Sequence, residues 1–215
     1  MKKKIFQFRQ LLKKTFVFDL VVLVRRWRRG YGDLERRAKE NIYEYSLAHD
    51  LIRKLRVKYD VDIFIETGTF IGNSLIGLKD EFSSLYSIEL DPGIYQIARK
   101  RLIDYPHVKI IQGDSSKILP GIIKDLSQPA IFWLDAHYSS GVTAKGELQT
   151  PVVKELKGIF SHHIKRHCIL IDDVKDFNGT NDYPTVDWLL EYIACEAQGV
   201  YKGRVEGQVF VVEPV

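Results

Sequence analysis

One stretch decides the fold: Asp62-Ile63-Phe64-Ile65-Glu66-Thr67-Gly68-Thr69-Phe70-Ile71-Gly72-Asn73-Ser74. Its apolar run at 63–65 is typical of a parallel strand that is buried on both faces. Gly68 suits a sharp turn that a ligand can approach without meeting a Cβ atom. Gly72 allows the next helix to pack close to the strand, with its free N–H groups facing the ligand. The stretch therefore predicts a strand, a turn and a helix around a ligand site.

The acidic residue before the turn narrows the choice of ligand. Glu66 and the two glycines form the pattern E-x-G-x-x-x-G. A carboxylate in this place repels a pyrophosphate but attracts an ammonium group. The pattern therefore favours the amino-acid end of S-adenosylmethionine over a dinucleotide, although a purely structural turn would also explain the glycines.

Charge is distributed unevenly along the 215 residues. Residues 1–40 carry 13 Lys/Arg against 4 Asp/Glu, and the remainder carries 19 against 24. The acidic remainder does not favour nucleic-acid binding. A hydrophobic content of 45% excludes a largely disordered chain. The two cysteines match no metal-binding spacing, and no secretory signal is apparent, so a reducing, cytoplasmic location is predicted.

The basic segment 1–40 is predicted to lie outside a catalytic domain at 41–215. Its apolar run 15–24 is half the ~20 residues of a spanning helix, and Asp19 interrupts it. Basic clusters around an aromatic-rich apolar core suit a helix on the inner face of an anionic membrane. A helix that docks on the domain, or on a second subunit in a homodimer, fits the pattern equally well.

Strands and helices alternate regularly from residue 41 onward. The predicted strands are 61–66, 84–90, 107–112, 130–135, 167–172, 199–205 and 207–213. The link around Glu206-Gly207 is too short for a parallel crossover, so the last two strands form an antiparallel hairpin. This order predicts an α/β fold with a doubly wound, mostly parallel seven-stranded sheet, Rossmann-like and closed by that hairpin. Ligands bind such sheets at the carboxyl ends of the strands.

Polar residues follow the second and third strands at that edge. Glu89 can accept both ribose hydroxyls of an adenosine cofactor. Asp114 can accept from the adenine amino group, and Ser115 can donate to a ring nitrogen. Either of these two can instead be the N-cap of the helix at 115–126.

The motif Glu66-Thr-Gly-Thr-Phe-Ile-Gly-Asn-Ser74 resembles the glycine motif of class I S-adenosylmethionine-dependent methyltransferases. It is similar in particular to the catechol and caffeoyl-CoA O-methyltransferases, which also lack a middle glycine. The order of motifs from 61 to about 213 matches that superfamily. The resemblance implies the following cofactor-binding residues: Glu66, Gly68, Thr69, Gly72, Ser74, Glu89, Asp114, Ser115 and Asp135.

Three further carboxylates follow strands four and five: Asp135, Asp172 and Asp173. Like charges at one edge repel, so a cation is expected among them, and oxygen ligands favour Mg²⁺. In metal-dependent O-methyltransferases, and in macrocin-type sugar O-methyltransferases with their Asp-Asp pair, the matching positions bind Mg²⁺. Alternatively, Asp172 or Asp173 caps a turn in a solvated loop.

The proton acceptor departs from the catechol-type pattern. Those enzymes place a lysine three residues after the first metal aspartate, where this chain has Tyr138. His137, two residues after the catalytic Asp135, is the better general base because its ordinary pKa is near 6.5. It could instead bind or orient the metal. The long loop 138–147, with its hydroxyls, glycines and Lys145, suits a sugar-like acceptor.

The sequence therefore predicts Mg²⁺-assisted O-methyl transfer from S-adenosylmethionine to a small polar acceptor. One alternative is a nicotinamide-dependent oxidoreductase, which Glu66 and the closing hairpin oppose. Another is a non-catalytic cofactor-binding module that residues 1–40 anchor to a membrane or partner. A hydroxylase on the same scaffold also stays open. The histidines at 162, 163 and 167 are predicted to lie on the surface, away from the site.

Overall fold

The computed structural model describes residues 30–40, 47–135, 150–180 and 182–215. Seven strands of this part form one sheet: β1 Ile63–Thr67, β2 Ser84–Glu89, β3 Val108–Gln112, β4 Ile131–Leu134, β5 Cys168–Ile171, β6 Tyr201–Glu206 and β7 Val209–Pro214. Their spatial order is β3-β2-β1-β4-β5-β7-β6. Strands β1 to β5 are parallel, whereas β7 is antiparallel to both β5 and β6. The predicted fold, including the closing hairpin, is confirmed.

The helices alternate with the strands along the chain. They are α1 at 30–39, α2 Leu47–Tyr59, α3 Asn73–Leu78, α4 Pro92–Arg101, α5 Ser115–Lys124, α6 Val152–Ser161 and α7 Val186–Glu196, with a 3₁₀ turn at Val174–Asp176. Asp91 caps α4, and Pro92 occupies its first turn, where the missing N–H costs no hydrogen bond. No helix in the described part is long and apolar enough to cross a membrane.

The core has two layers because alternate residues of each strand face opposite sides of the sheet. Ile65 and Phe132 pack with Leu156 of α6 on one side. Phe64 packs with Leu75 of α3 on the other side. The register sets Thr67 beside Leu134, and Leu134 beside Ile171. The residues that follow β1, β4 and β5 therefore leave the sheet at the same level.

Helix α1 packs on this body. Leu34 and Ala38 are buried against Ile71, Ile94 and Ile97. Residues 30–39 of the basic segment are therefore a docked helix, whereas residues 1–29 lie outside the described part.

The expectation of a surface histidine cluster is wrong for two of its three members. His162 is 7% exposed and His167 is fully buried. The backbone N–H of Ala130 donates to His167 Nδ1 at 3.0 Å, so the proton of His167 is on Nε2, which lies 2.9 Å from His162 Nδ1. Burial lowers the pKa of His167 to about 4. Through its bond to Ala130, His167 links the starts of β4 and β5, at the edge opposite the predicted site.

Candidate cofactor and active site

The turn after β1 has the geometry that its glycines predict. Gly68 has φ 88° and Gly72 has φ 78°, both in the left-handed region that favours glycine. A Cβ atom at Gly72 would lie 2.8 Å from Leu102 Cδ1. The backbone N–H of Gly68 donates to the carbonyl of Ile88 at 2.9 Å, which ties the turn to β2.

Glu66 lies under this turn and is 1% exposed. Its Oε2 accepts a hydrogen bond of 2.6 Å from Ser87 Oγ. Ser87 Oγ lies in turn 2.6 Å from Thr69 Oγ1. Burial raises the pKa of Glu66 to about 8, against the opposing effect of the Ser87 and Ser74 hydroxyls. The predicted residues Glu66, Thr69 and Ser74 are thus brought together around one buried carboxyl group that a ligand's ammonium could pair.

Glu89 ends β2 and is clamped by two backbone amides. The N–H of Phe70, in the glycine turn, donates to Oε2 at 2.9 Å, and the N–H of Asp91 donates to Oε1 at 2.8 Å. Burial raises the pKa of Glu89 to about 7. These bonds fix the carboxyl group beside the turn, where it is expected to meet a ribose.

Asp114 is the N-cap of α5, the alternative that its sequence position left open. Its Oδ1 accepts from Ser116 N at 3.0 Å and from Ser116 Oγ at 2.7 Å. Its Oδ2 lies 3.5 Å from Lys117 Nζ. Ser115 follows directly and is buried. The cap therefore uses Oδ1 of Asp114, so an adenine amino group would have to donate to Oδ2.

The three aspartates after β4 and β5 line one small cavity. Asp135, Asp172 and Asp173 share it with Tyr183, and its volume of about 10 Å³ matches one water-sized ligand. Asp173 has φ 53° and pairs with Lys175 at 3.1 Å. Within the described residues, no three His, Cys, Asp or Glu side chains converge closely enough to hold a metal ion. The oxygen donors suit Mg²⁺ in chemistry, but the described side chains do not form a closed ligand set.

Glu155, in the first turn of α6, lines the same cavity and was missed by the sequence interpretation. It is 2% exposed, and burial raises its pKa to about 7, while the hydroxyls of Ser115 and Thr67 act in the opposite direction. The sequence did contain one indication that Glu155 is buried. Glu155 stands on the apolar face of α6, beside Val152 and Leu156, where a charged residue is unusual.

The predicted base and acceptor loop remain predictions. His137 and the loop 138–147 lie outside the described residues.

Comparison with solved structures shows the fold. A Bacillus cereus O-methyltransferase in complex with S-adenosylhomocysteine matches with a TM-score of 0.59 and 16% identity, over 87% of this chain and 89% of that one. The chain has the fold of this O-methyltransferase structure. TomG of Streptomyces achromogenes, an O-methyltransferase of tomaymycin synthesis bound to S-adenosylmethionine, matches with a TM-score of 0.55 and 15% identity, over 86% and 88%.

A third similar structure comes from Staphylococcus aureus and is named provisionally as a caffeoyl-CoA O-methyltransferase. It matches with a TM-score of 0.58 and 17% identity, over 86% of this chain and 92% of that one. No protein-family model matches the sequence, and no curated protein is significantly similar to it. At these identities the likeness extends to the methyltransferase fold, and the activity must be argued from the site.

The buried acids predict how the stability of the ligand-free protein depends on pH. Glu66, Glu89 and Glu155 have folded-state pKa values above the ordinary 4.5. Between pH 4.5 and 7–8 the unfolded chain loses protons that the fold retains, so the free energy of unfolding falls as the pH rises. Glu155 alone contributes about 3 kcal/mol to this fall, or about 6–12 °C in Tm.

Thermal unfolding between pH 5 and 8 checks this prediction. Glu155→Gln cannot ionise, so its Tm should decline less steeply than that of the wild type. Glu191→Gln, on the exposed surface of α7, is the control and should follow the wild type. If the Tm of Glu155→Gln fell with pH as steeply as that of the wild type, the Glu155 carboxyl would not be buried in the folded protein.

Proposed function

We propose that this protein is an S-adenosylmethionine-dependent O-methyltransferase. The observation that carries the proposal is the pair of buried carboxyl groups at the ends of adjacent strands, Glu66 and Glu89, on either side of the glycine turn. The ammonium group and the ribose hydroxyls of this cofactor are donors that such carboxyl groups can accept from. The likeness in fold to structures that bind the cofactor or its product supports the same conclusion.

Each residue has a definable task in this reaction. When bound, S-adenosylmethionine supplies a methyl group on a positively charged sulfur, which an acceptor hydroxyl can attack. Glu66 would hold the amino-acid part of the cofactor and Glu89 its ribose, at the edge of the sheet where β4 and β5 also end. Asp135 leaves the sheet there, held by its N–H to the Thr67 carbonyl at 3.0 Å. His137 would take the proton of the hydroxyl.

A Mg²⁺ ion is the finer part of the proposal. Magnesium is commonly held by one or two carboxylates, with water and substrate oxygens completing its octahedron. The support for it is that Asp135, Asp172 and Asp173 line one cavity, with carboxylate oxygens of the kind that this ion prefers. The ion would lower the pKa of the acceptor hydroxyl and orient it.

The polar residues that line the cavity support the proposed acceptor class, and an acceptor of that size would lie outside a cavity of about 10 Å³. Beside the aspartates, Thr150, Glu155 and Tyr183 present polar groups to it. A carboxylate-rich wall of this kind suits a hydroxyl-rich acceptor such as a sugar or glycan better than an apolar aromatic. Transfer of a labelled methyl group from S-adenosylmethionine to a panel of sugars tests this proposal. Absence of transfer to any hydroxyl acceptor, with intact cofactor binding, would favour the non-catalytic alternative.

We further propose that residues 1–29 contact an anionic membrane from the cytoplasmic side. Helix α1 begins at the carboxyl edge of the sheet, since Tyr31 lies against Asp91. A basic segment that precedes it would hold the catalytic edge near the membrane surface.

Sedimentation with anionic vesicles tests this contact. Each basic residue near the surface adds about 1 kcal/mol, so binding should be strong at low salt and weaken as salt is added. A chain that lacks residues 1–29 but keeps α1 should no longer sediment. If the full chain does not sediment, and the truncation instead dissociates a dimer seen by light scattering, residues 1–29 form an assembly segment.

A further inference from the structure

Helix α1 contributes a side chain to the network around Glu89. Tyr31 Oη donates a hydrogen bond of 2.5 Å to Asp91 Oδ1. The same oxygen accepts from the backbone N–H groups of Gly93 at 2.8 Å and Ile94 at 2.9 Å. Asp91 is itself buried. Three donors from α1 and α4 thus hold one carboxylate oxygen in place.

Asp91 connects this arrangement to the ribose acid. Its backbone N–H donates to Glu89 Oε1 at 2.8 Å. The path from Tyr31 to Glu89 therefore consists of two hydrogen bonds and one residue, although Tyr31 and Asp91 are 60 positions apart in sequence. Movement of Asp91 would displace one of the two amides that orient the Glu89 carboxyl.

The packing around Tyr31 shows the same close approach. A Cβ atom built on Gly93 would lie 2.2 Å from Tyr31 Cε1. Gly93 is the second residue of α4, a position that does not require glycine. Glycine at this position is explained by the ring that lies against it. Farther along α1, Leu34 and Ala38 pack with Ile71 of the glycine turn.

We propose that α1 is part of the cofactor site and that Tyr31 is a positioning residue for Glu89. Residues 30–39 then raise the affinity for ligands whose ribose carries free hydroxyl groups, and not merely the stability of the fold. This inference rests on the proposed function, because it takes Glu89 to be the ribose acceptor.

Tyr31→Phe removes the hydroxyl and keeps the ring. The Kd for S-adenosylhomocysteine, measured by calorimetry, should rise about threefold to tenfold, which is the scale of one ordinary hydrogen bond, because Tyr31 acts on Glu89 only through Asp91. The Kd for the 2′,3′-dideoxyribose analogue should change little, since that ligand cannot bond to Glu89. The selectivity between the two ligands is therefore expected to fall. Tyr59→Phe is the matched control, because Tyr59 donates to Glu213 at 3.1 Å, at the opposite edge of the sheet.

Gly93→Ala provides a second, independent test. Its methyl group would displace the Tyr31 ring, so the same loss of affinity and selectivity is expected. In a Tyr31→Ala background the alanine should cause no further loss. If Tyr31→Phe does not fold, the Kd values of Gly93→Ala for the two ligands test the inference instead.

The outcomes separate this inference from the proposed function. If the wild type does not bind S-adenosylhomocysteine, the proposed function fails and the inference fails with it. If the wild type binds it, and the variants keep its affinity and selectivity, only the role of Tyr31 is overturned. An equal loss for both ligands would also overturn it, because that result indicates a purely structural contact.

Discussion

Replacing Glu66 by alanine is expected to weaken S-adenosylhomocysteine binding by about tenfold to a hundredfold, or ~1.5–3 kcal/mol. The carboxyl is buried, and its partners among the described residues are the neutral hydroxyls of Ser87, at 2.6 Å, and Ser74. The ammonium group of the ligand would therefore be the main ionic partner of Glu66. In the alanine variant, a water molecule could not compensate for the charge of the lost carboxylate. Calorimetry on the folded variant measures the loss.

The same residue gives the binding a definite pH dependence. The pKa of Glu66 in the free protein is raised to about 8 by burial. The carboxyl must lose its proton to pair with an ammonium group, so affinity should rise as the pH increases from 6 to 8 and then level off. Glu66→Gln should bind weakly at every pH in this range. Unchanged affinity in a folded Glu66→Ala variant would show that Glu66 does not receive the ligand's amino group.

Methyl transfer is expected to disappear in excess chelator and to return with Mg²⁺ or Mn²⁺. The physical reason is the repulsion among Asp135, Asp172 and Asp173, which one divalent ion would relieve. Asp172→Asn removes one ligand charge and should weaken Mn²⁺ binding about tenfold or more, as measured by calorimetry. Asp187→Asn, on the exposed first turn of α7, is the control and should bind Mn²⁺ like the wild type.

The opposite result would change the mechanism. Full turnover in excess chelator would leave the three aspartates as structural or acceptor-binding acids. It would leave the assignment of Glu66 and Glu89 standing, because their hydrogen bonds are made to β2 and to the glycine turn.

The sheet was predictable because its signals are local. The apolar run before Glu66 and the glycines after it specify a buried strand and a turn. The short link at Glu206-Gly207 leaves only an antiparallel hairpin for the last strands. Such features depend on a few adjacent residues, so the sequence alone determines them.

The parts that were missed depend on contacts between distant segments. Glu155 and the pair His162–His167 are buried although their side chains are polar, which only the packing of α6 on the sheet reveals. The Tyr31–Asp91 bond joins residues that no local pattern connects. Composition left open whether the basic segment 1–40 lies on a membrane or docks on the domain, and only the packing of Leu34 and Ala38 shows that residues 30–39 dock on the body.

Calorimetric titration of the full chain with S-adenosylhomocysteine, alongside NAD under the same conditions, is the most direct measurement. Glu66 beneath the turn and the reversed strand β7 both favour the first ligand. One equivalent of S-adenosylhomocysteine should bind, more tightly at pH 8 than at pH 6, and NAD should give no heat of binding. Saturable binding of NAD, without binding of S-adenosylhomocysteine, would contradict a methyltransferase site and support a nicotinamide-dependent oxidoreductase.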